Sequence, residues 1–193
     1  MHPFDVETLP AGPWRNGGGT TREITSRPAG TDAFGWRASV ADIGRGGPFS
    51  AFAGVDRTLT LLAGDGVRLT SSGVFDRLLV RAGEPFAFSG DLALTAELPG
   101  GPCRVLNLMA RRGHWTARVD RVTGPVAPGP GHSGMLYVLS GQWQAPGQTT
   151  ADGSVLATGQ GVWWDGDDDA AAGAVAPLSP DAAALWADVV PTG

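Results

Sequence analysis

The chain has 193 residues, 42% of them hydrophobic, enough for one large domain or two small fused ones with a real core. Its formal net charge is −5 and all 14 of its basic residues are arginine, which excludes a nucleic-acid partner held by bulk electrostatics and turns attention to individual guanidinium forks. Cys103 is the only cysteine, so no internal disulfide forms; no basic-then-apolar leader and no membrane-length apolar run is visible, and a soluble, cytoplasmic protein is expected.

Thirty glycines and 15 prolines punctuate short apolar runs, the pattern of an all-β sandwich or barrel. The first marked stretch is PWRNGGGTTREI, from Pro13 to Ile24. A phosphate loop would follow its glycines with a Lys-Ser/Thr pair and open a helix. Here β-branched threonines follow instead, so a strand is predicted over Thr21–Thr25, entered through a φ-permissive glycine turn. Further strands are predicted at Gly35–Asp42, Arg57–Ala63, Gly66–Thr70, Phe75–Val80, Phe86–Ser89, Ala93–Leu98 and Cys103–Ala110. The same signals then give Trp115–Arg121, Gly134–Ser140, Gln142–Ala145, Ser154–Ala157 and Val162–Trp164. The run DGDDDAAAGA at 165–174 reads as a solvated loop, its carboxylates lacking the spacing of a metal site. Near the end, SPDAAALWADVV predicts one short helix, with Ser179 as N-cap, Pro180 at the first position and Asp181 at the positive end.

A weak internal repeat runs through these elements. LTLLAGDGVRL at 59–69 resembles LYVLSGQWQAP at 136–146, and LLVRAGEPFAF at 78–88 resembles SVLATGQGVWW at 154–164. Gly64 then matches Gly141 and Gly83 matches Gly159, at offsets of 77 and 76. Two anchors in one order at nearly one offset indicate duplication of a β unit: strand, glycine turn, strand, loop, strand, glycine turn, strand. The Gly/Pro stretch TGPVAPGPGHSG at 123–134 precedes the second unit as a linker.

The repeat resembles that of cupins. Three blocks carry a closer resemblance to the HutD/Ves family: PWRNGGGTTREI at 13–24, WRASVADIGRGGPFSAFAGVDRTLTLLAGDGVRL at 36–69, and GGPCRVLNLMARRG at 100–113. They cover most of the first two-thirds of the chain; the last third resembles only a generic cupin half. The resemblance implies a single metal-free bicupin over 4–188, with jelly-roll halves at roughly 4–113 and 114–188. It also implies a bacterial role in histidine utilisation or in stress response, and a regulatory function through a small anion. Val105 stands where the family pattern leads one to expect Asp, which removes one carboxylate.

Metal-binding cupins place two histidines and a glutamate before the turn glycine. Counting back seven from Gly64 puts the glutamate slot on Arg57, and the histidine slots on Ser50 and Phe52 or on Ala51 and Ala53. No histidine lies between His2 and His114, and His132 is out of register in the second half, so neither a metal nor another cofactor is expected. Arg57 inverts the charge of the slot and points to an anion pocket; the plain alternative is a surface pair with Asp56.

Strand alternation groups the other candidates. Thr20, Arg22 and Ile24 share one face of their strand and Glu23 the other; Ile24 marks the first as inner, which makes Arg22 an interior cation. Arg37 and Ser39 share a face, as do Val105, Asn107, Met109 and Arg111. The expected ligand-binding set is Asn16, Gly18, Gly19, Thr20, Arg22, Arg37, Ser39, Arg57, Asn107, Met109 and Arg111. Cys103 reads as a buried thiol without a base, and His114 as a structural residue.

Three functions fit. The leading one is a small-carboxylate-binding accessory or regulatory protein, with a histidine-breakdown acid such as N-formylglutamate as ligand. The second is a metal-independent hydrolase or isomerase using Glu23, Asp56 or His114 for proton transfer. The third is a protein-interaction module, and the expected partners leave room for a homodimer while excluding nucleic acid and membrane.

Overall fold

The computed structural model describes residues 1–30, 33–146, 154–167 and 173–193. Among the described residues the chain is strands and turns, with one turn of 3-10 helix at Val6–Thr8. The first eleven strands are β1 (His2–Asp5), β2 (Ala11–Pro13), β3 (Gly19–Arg27), β4 (Trp36–Ile43), β5 (Gly47–Phe49), β6 (Val55–Ala63), β7 (Val67–Ser71), β8 (Phe75–Leu79), β9 (Pro85–Ser89), β10 (Leu94–Glu97) and β11 (Cys103–Arg111). Seven more follow: β12 (Trp115–Val122), β13 (Ser133–Ser140), β14 (Trp143–Ala145), β15 (Ser154–Leu156), β16 (Gln160–Trp164), β17 (Ala176–Pro177) and β18 (Ala183–Pro191).

Two compact units result. The N-unit, Pro10–Trp115, has a six-stranded sheet in the order β2-β3-β4-β11-β6-β9 and a four-stranded sheet in the order β5-β10-β7-β8. Leu59, Leu61 and Val105 of the larger sheet meet Val67, Leu69, Leu79 and Leu94 of the smaller one in a shared core. The C-unit, Thr116–Gly193 with Met1–Leu9, pairs a five-stranded sheet (β1-β16-β13-β18-β12) with a three-stranded one (β15-β14-β17) around Leu136, Val138, Trp143, Leu156 and Trp164. Each unit is a jelly roll, its inner faces closed by alternate apolar residues.

The duplication is visible in bonds as well as in strands. Gly64, Gly83, Gly141 and Gly159 all adopt positive φ, from +70° to +97°, where a side chain would be strained. The Gly83 N–H donates to Leu61 O at 2.8 Å and the Gly159 N–H to Val138 O at 3.1 Å, the same bond in each repeat.

One expectation changes. The predicted C-terminal helix is a strand: β18 lies between β13 and β12 and pairs with β13 from Val189 to Ala183. Ser179 caps no helix; its hydroxyl accepts the Gln142 N–H at 3.1 Å. Alanine-rich local propensity yields here to a central ladder position that buries Ala183, Leu185, Ala187 and Val189. The described residues of the acidic run at 165–174 are loop and turn, and Asp165 accepts the Ser133 hydroxyl at 2.9 Å. Its residues 168–172 lie outside the described ones.

Candidate functional site

In the N-unit the odd-numbered residues of β4, β6 and β11 face the core, because cross-strand partners share a face. Toward one end of that face the apolar rows give way to polar ones. One row reads Leu59, Asn107, Ser39, Glu23 across β6, β11, β4 and β3. The next reads Phe88, Arg57, Met109, Arg37, Ser26, from β9 to β3. Arg57, Asn107, Ser39 and Met109 are all buried.

Arg57 is the centre of this patch, with 6% of its surface exposed. Its Nη1 donates to Ser50 O at 3.1 Å and its Nη2 to Asn107 Oδ1 at 3.4 Å. The Nε–H is buried and has no acceptor among the described residues. The guanidinium carbon lies 5.2 Å from the Phe52 and Phe88 ring centres and 5.9 Å from that of Phe49, so aromatic faces carry part of its charge. Burial pulls the group down to about 10, which leaves it a cation at neutral pH, and no carboxylate among the described residues offsets that burial. The surface pair with Asp56 does not form: Asp56 binds Arg112 at 2.6 Å instead. A buried cation with a spare donor, held between an amide and three rings, suits a small anion that brings its own acceptors.

Glu23 and Arg37 stand at the more open end of the same face. Arg37 Nε is 2.8 Å from Glu23 Oε2, and the Ser26 hydroxyl donates to Glu23 Oε1 at 2.8 Å. Glu23 is therefore on the inner face, and the expected interior position of Arg22 is corrected. A bulge after Glu23 resets the alternation, so Ile24 misreports the face. Arg22 pairs with Val40 and turns to the opposite side, where it binds Asp42. Arg104 joins the same carboxylate, Nε to Oδ1 at 2.6 Å. Burial opposes ionisation of Asp42, but the bonds from Arg104 and then Arg22 prevail and hold its carboxyl below the usual range.

The glycine loop has another role. The Asn16 side chain accepts the Gly18 N–H at 2.9 Å, and the Asn16 backbone carbonyl accepts from the Arg45 guanidinium. Gly18 O accepts the Gly44 and Arg45 N–H groups at 2.9 and 3.2 Å. These bonds frame a cavity of about 330 Å³ lined by Trp14, Asn16, Gly18, Arg45, Gly47 and Phe49. Gly19 lies under the Trp14 ring, and Thr20 lines a second cavity of about 630 Å³ with Asp42, Cys103 and Arg104. Arg111 donates from Nε to Phe34 O at 3.2 Å and closes a loop. Of the eleven expected residues, Arg37, Ser39, Arg57, Asn107, Met109 and Arg111 share the inner-face register, and the rest lie around it or behind it. Phe49, Phe52 and Phe88 lie outside the expected ligand-binding set, although PFSAF at 48–52 was an available signal. Among the described residues no group of three or more His, Cys, Asp or Glu side chains could hold a metal ion.

The two jelly-roll units define the class of fold, which is shared by the solved structures of protein Ylba from E. coli and of Lactobacillus farciminis oxalate decarboxylase, at 9% and 10% identity with TM-scores of 0.72 and 0.62. The HutD family profile matches residues 6–179, and the chain belongs to that family. The protein Ves of Cronobacter sakazakii is 40% identical over 165 residues, 85% of this chain and 87% of that protein. An uncharacterised 21.2 kDa protein from the hutC 3′ region of Pseudomonas putida is 45% identical over 120 residues, 62% of this chain and 63% of its own. The structure of HutD from Pseudomonas fluorescens SBW25 (formate condition) superposes with a TM-score of 0.80 at 30% identity, covering 99% of this chain and 98% of that one.

Proposed function

We propose that the N-unit binds a small carboxylate at Arg57 and that the protein acts as a ligand-sensing accessory of histidine utilisation. The single observation that carries this reading is a buried guanidinium with an orphan Nε–H and no carboxylate partner among the described residues. A carboxylate would accept from Nε and one Nη in the forked geometry that arginine favours, and Asn107 would hold the fork in place. Membership of the HutD family and similarity to a protein from a hutC 3′ region support the pathway, and a relative solved in a formate condition supports the ligand class. Formate is the minimal probe and N-formylglutamate the pathway candidate. The lone, buried Cys103 fits a reducing, cytoplasmic setting. No helix among the described residues is long and apolar enough to cross a membrane.

Calorimetry with formate, N-formylglutamate and other acids of histidine breakdown tests the reading. Saturable binding of at least one of them, lost in Arg57→Met, is the expected result; no binding across the set refutes the pathway assignment. A metal-independent enzyme is the second reading. It is favoured by Glu23, which lies in one row with Ser39 and Asn107 on the same inner face as Arg57. Turnover of a bound acid that survives a chelator and is lost in Glu23→Gln would select it.

A further inference from the structure

We propose that the 330 Å³ cavity beside the glycine loop is the antechamber through which an anion reaches Arg57, and that Phe49 is the gate between them. The ring of Phe49 is common to both spaces. It is a wall of the cavity and lies edge-on to Trp14 at 5.9 Å between centres. It also stands 5.9 Å from the Arg57 guanidinium carbon. Register turns it inward: Phe49 pairs with Leu94, and Leu94 belongs to the core. With 6% of its surface exposed, Arg57 meets no solute until one of its three rings moves.

Phe49 is the ring built to move. Phe88 is buried within β9 and pairs with Arg57 in the ladder. Phe52 packs with Phe34, Val55 and Met109, and its N–H donates to Gly90 O at 2.7 Å. Phe49 instead ends a three-residue strand that begins at Gly47, follows Gly46 and lies at the edge of its sheet, bonded to β10 alone. A side chain built on Gly47 would meet nothing within 4 Å, so open space adjoins the point where β5 begins. On the far side the chain is pinned, because Gly18 O holds the Gly44 and Arg45 N–H groups and Arg45 clasps Asn16. Movement of the Phe49 end of β5 away from β10, between Gly46, which packs on the Ala96 carbonyl, and Ser50, whose carbonyl accepts from Arg57 Nη1, opens the Phe49 side without disturbing that pin. Arg45, exposed at the rim of the cavity, attracts anions to the same opening.

The identity of the anion rests on the preceding reading, but the gate does not. Hydrogen exchange of the Arg57 Nε–H, followed by NMR in the ligand-free protein, reads the gate directly. Phe49→Ala should accelerate that exchange tenfold or more, and Phe49→Trp should slow it. Phe52→Ala should change it less than threefold, and the amides of Leu61 and Val105 should keep their protection in every variant. If Phe49→Ala destabilises the sheet and those amides lose protection, Phe49→Leu replaces it with the same expected direction. Unchanged exchange in the Phe49 variants, or equal acceleration by Phe52→Ala, overturns the gate. Formate then serves as the probe of passage: Phe49→Ala should raise its association and dissociation rates together. A failure of formate, and of the pathway acids, to bind refutes the carboxylate site, whereas unchanged exchange refutes only the gate.

Discussion

Asn107 Oδ1 faces Arg57 Nη2 at 3.4 Å, across fifty residues of sequence and one strand boundary. The pair shows how this jelly roll departs from a plain hydrophobic sandwich. Asparagine interrupts Val105 and Met109 on the inner face of β11, and arginine interrupts Val55 and Leu59 on that of β6. Each is unfavourable alone in a core; side by side, the amide oxygen takes one guanidinium N–H and leaves the Nε–H for an incoming acceptor.

Asp42 joins two strands through two arginines. Asp42→Asn keeps the size but removes the charge that Arg22 and Arg104 share. With the Asp42 side chain 36% exposed, solvent screens much of the interaction, and a loss of about 1 kcal/mol is expected. Chemical denaturation at low and high salt checks this, because the deficit should shrink as salt rises.

Cys103 should be inert. Burial, with a smaller push from the Asp42 charge, raises its thiol to about 11. A thiol reagent at pH 8 should react with the native protein at least tenfold more slowly than with the unfolded chain. Stoichiometric labelling of folded protein within minutes would contradict the burial of this side chain.

Asp91 contributes to the acid limb of stability. The Gly54 N–H, Arg112 and the Ser89 hydroxyl bond to it, in that order of effect, and lower its carboxyl to about 2. A depressed folded-state value stabilises above the unfolded-state value near 4, and the contribution disappears as pH falls toward 2. Asp91→Asn should therefore flatten the stability profile between about pH 4 and pH 2 and lower stability at pH 7. Urea midpoints across that range check it.

Much of the fold was legible because it rests on period-two alternation and glycine turns. All thirteen predicted strands exist, and the repeat glycines occupy matching positive-φ turns in both units. The C-terminal strand was misread because Ser-Pro-Asp followed by alanines satisfies every local helix rule, and only its place beside β13 decides otherwise. The face of Arg22 was misread for a similar reason: one bulged residue inverts all alternation before it, and a bulge leaves no mark in TTREIT. The slot position of Arg57 was legible from the spacing before Gly64, its inward placement was favoured only by the family resemblance, and its aromatic enclosure was not legible at all. Phe49, Phe52 and Phe88 come from three separate segments that only the closed barrel brings to one guanidinium.

The most direct test of the carboxylate site compares formate titrations of the wild type and Arg57→Met by NMR. Methionine fills the space without the buried charge, so the variant should melt at the same temperature or a few degrees higher. The account predicts saturable shifts at Asn107 and Ser39 in the wild type, and at least tenfold weaker binding in the variant. Equal binding by both proteins, or shifts confined to residues away from β6 and β11, would contradict it.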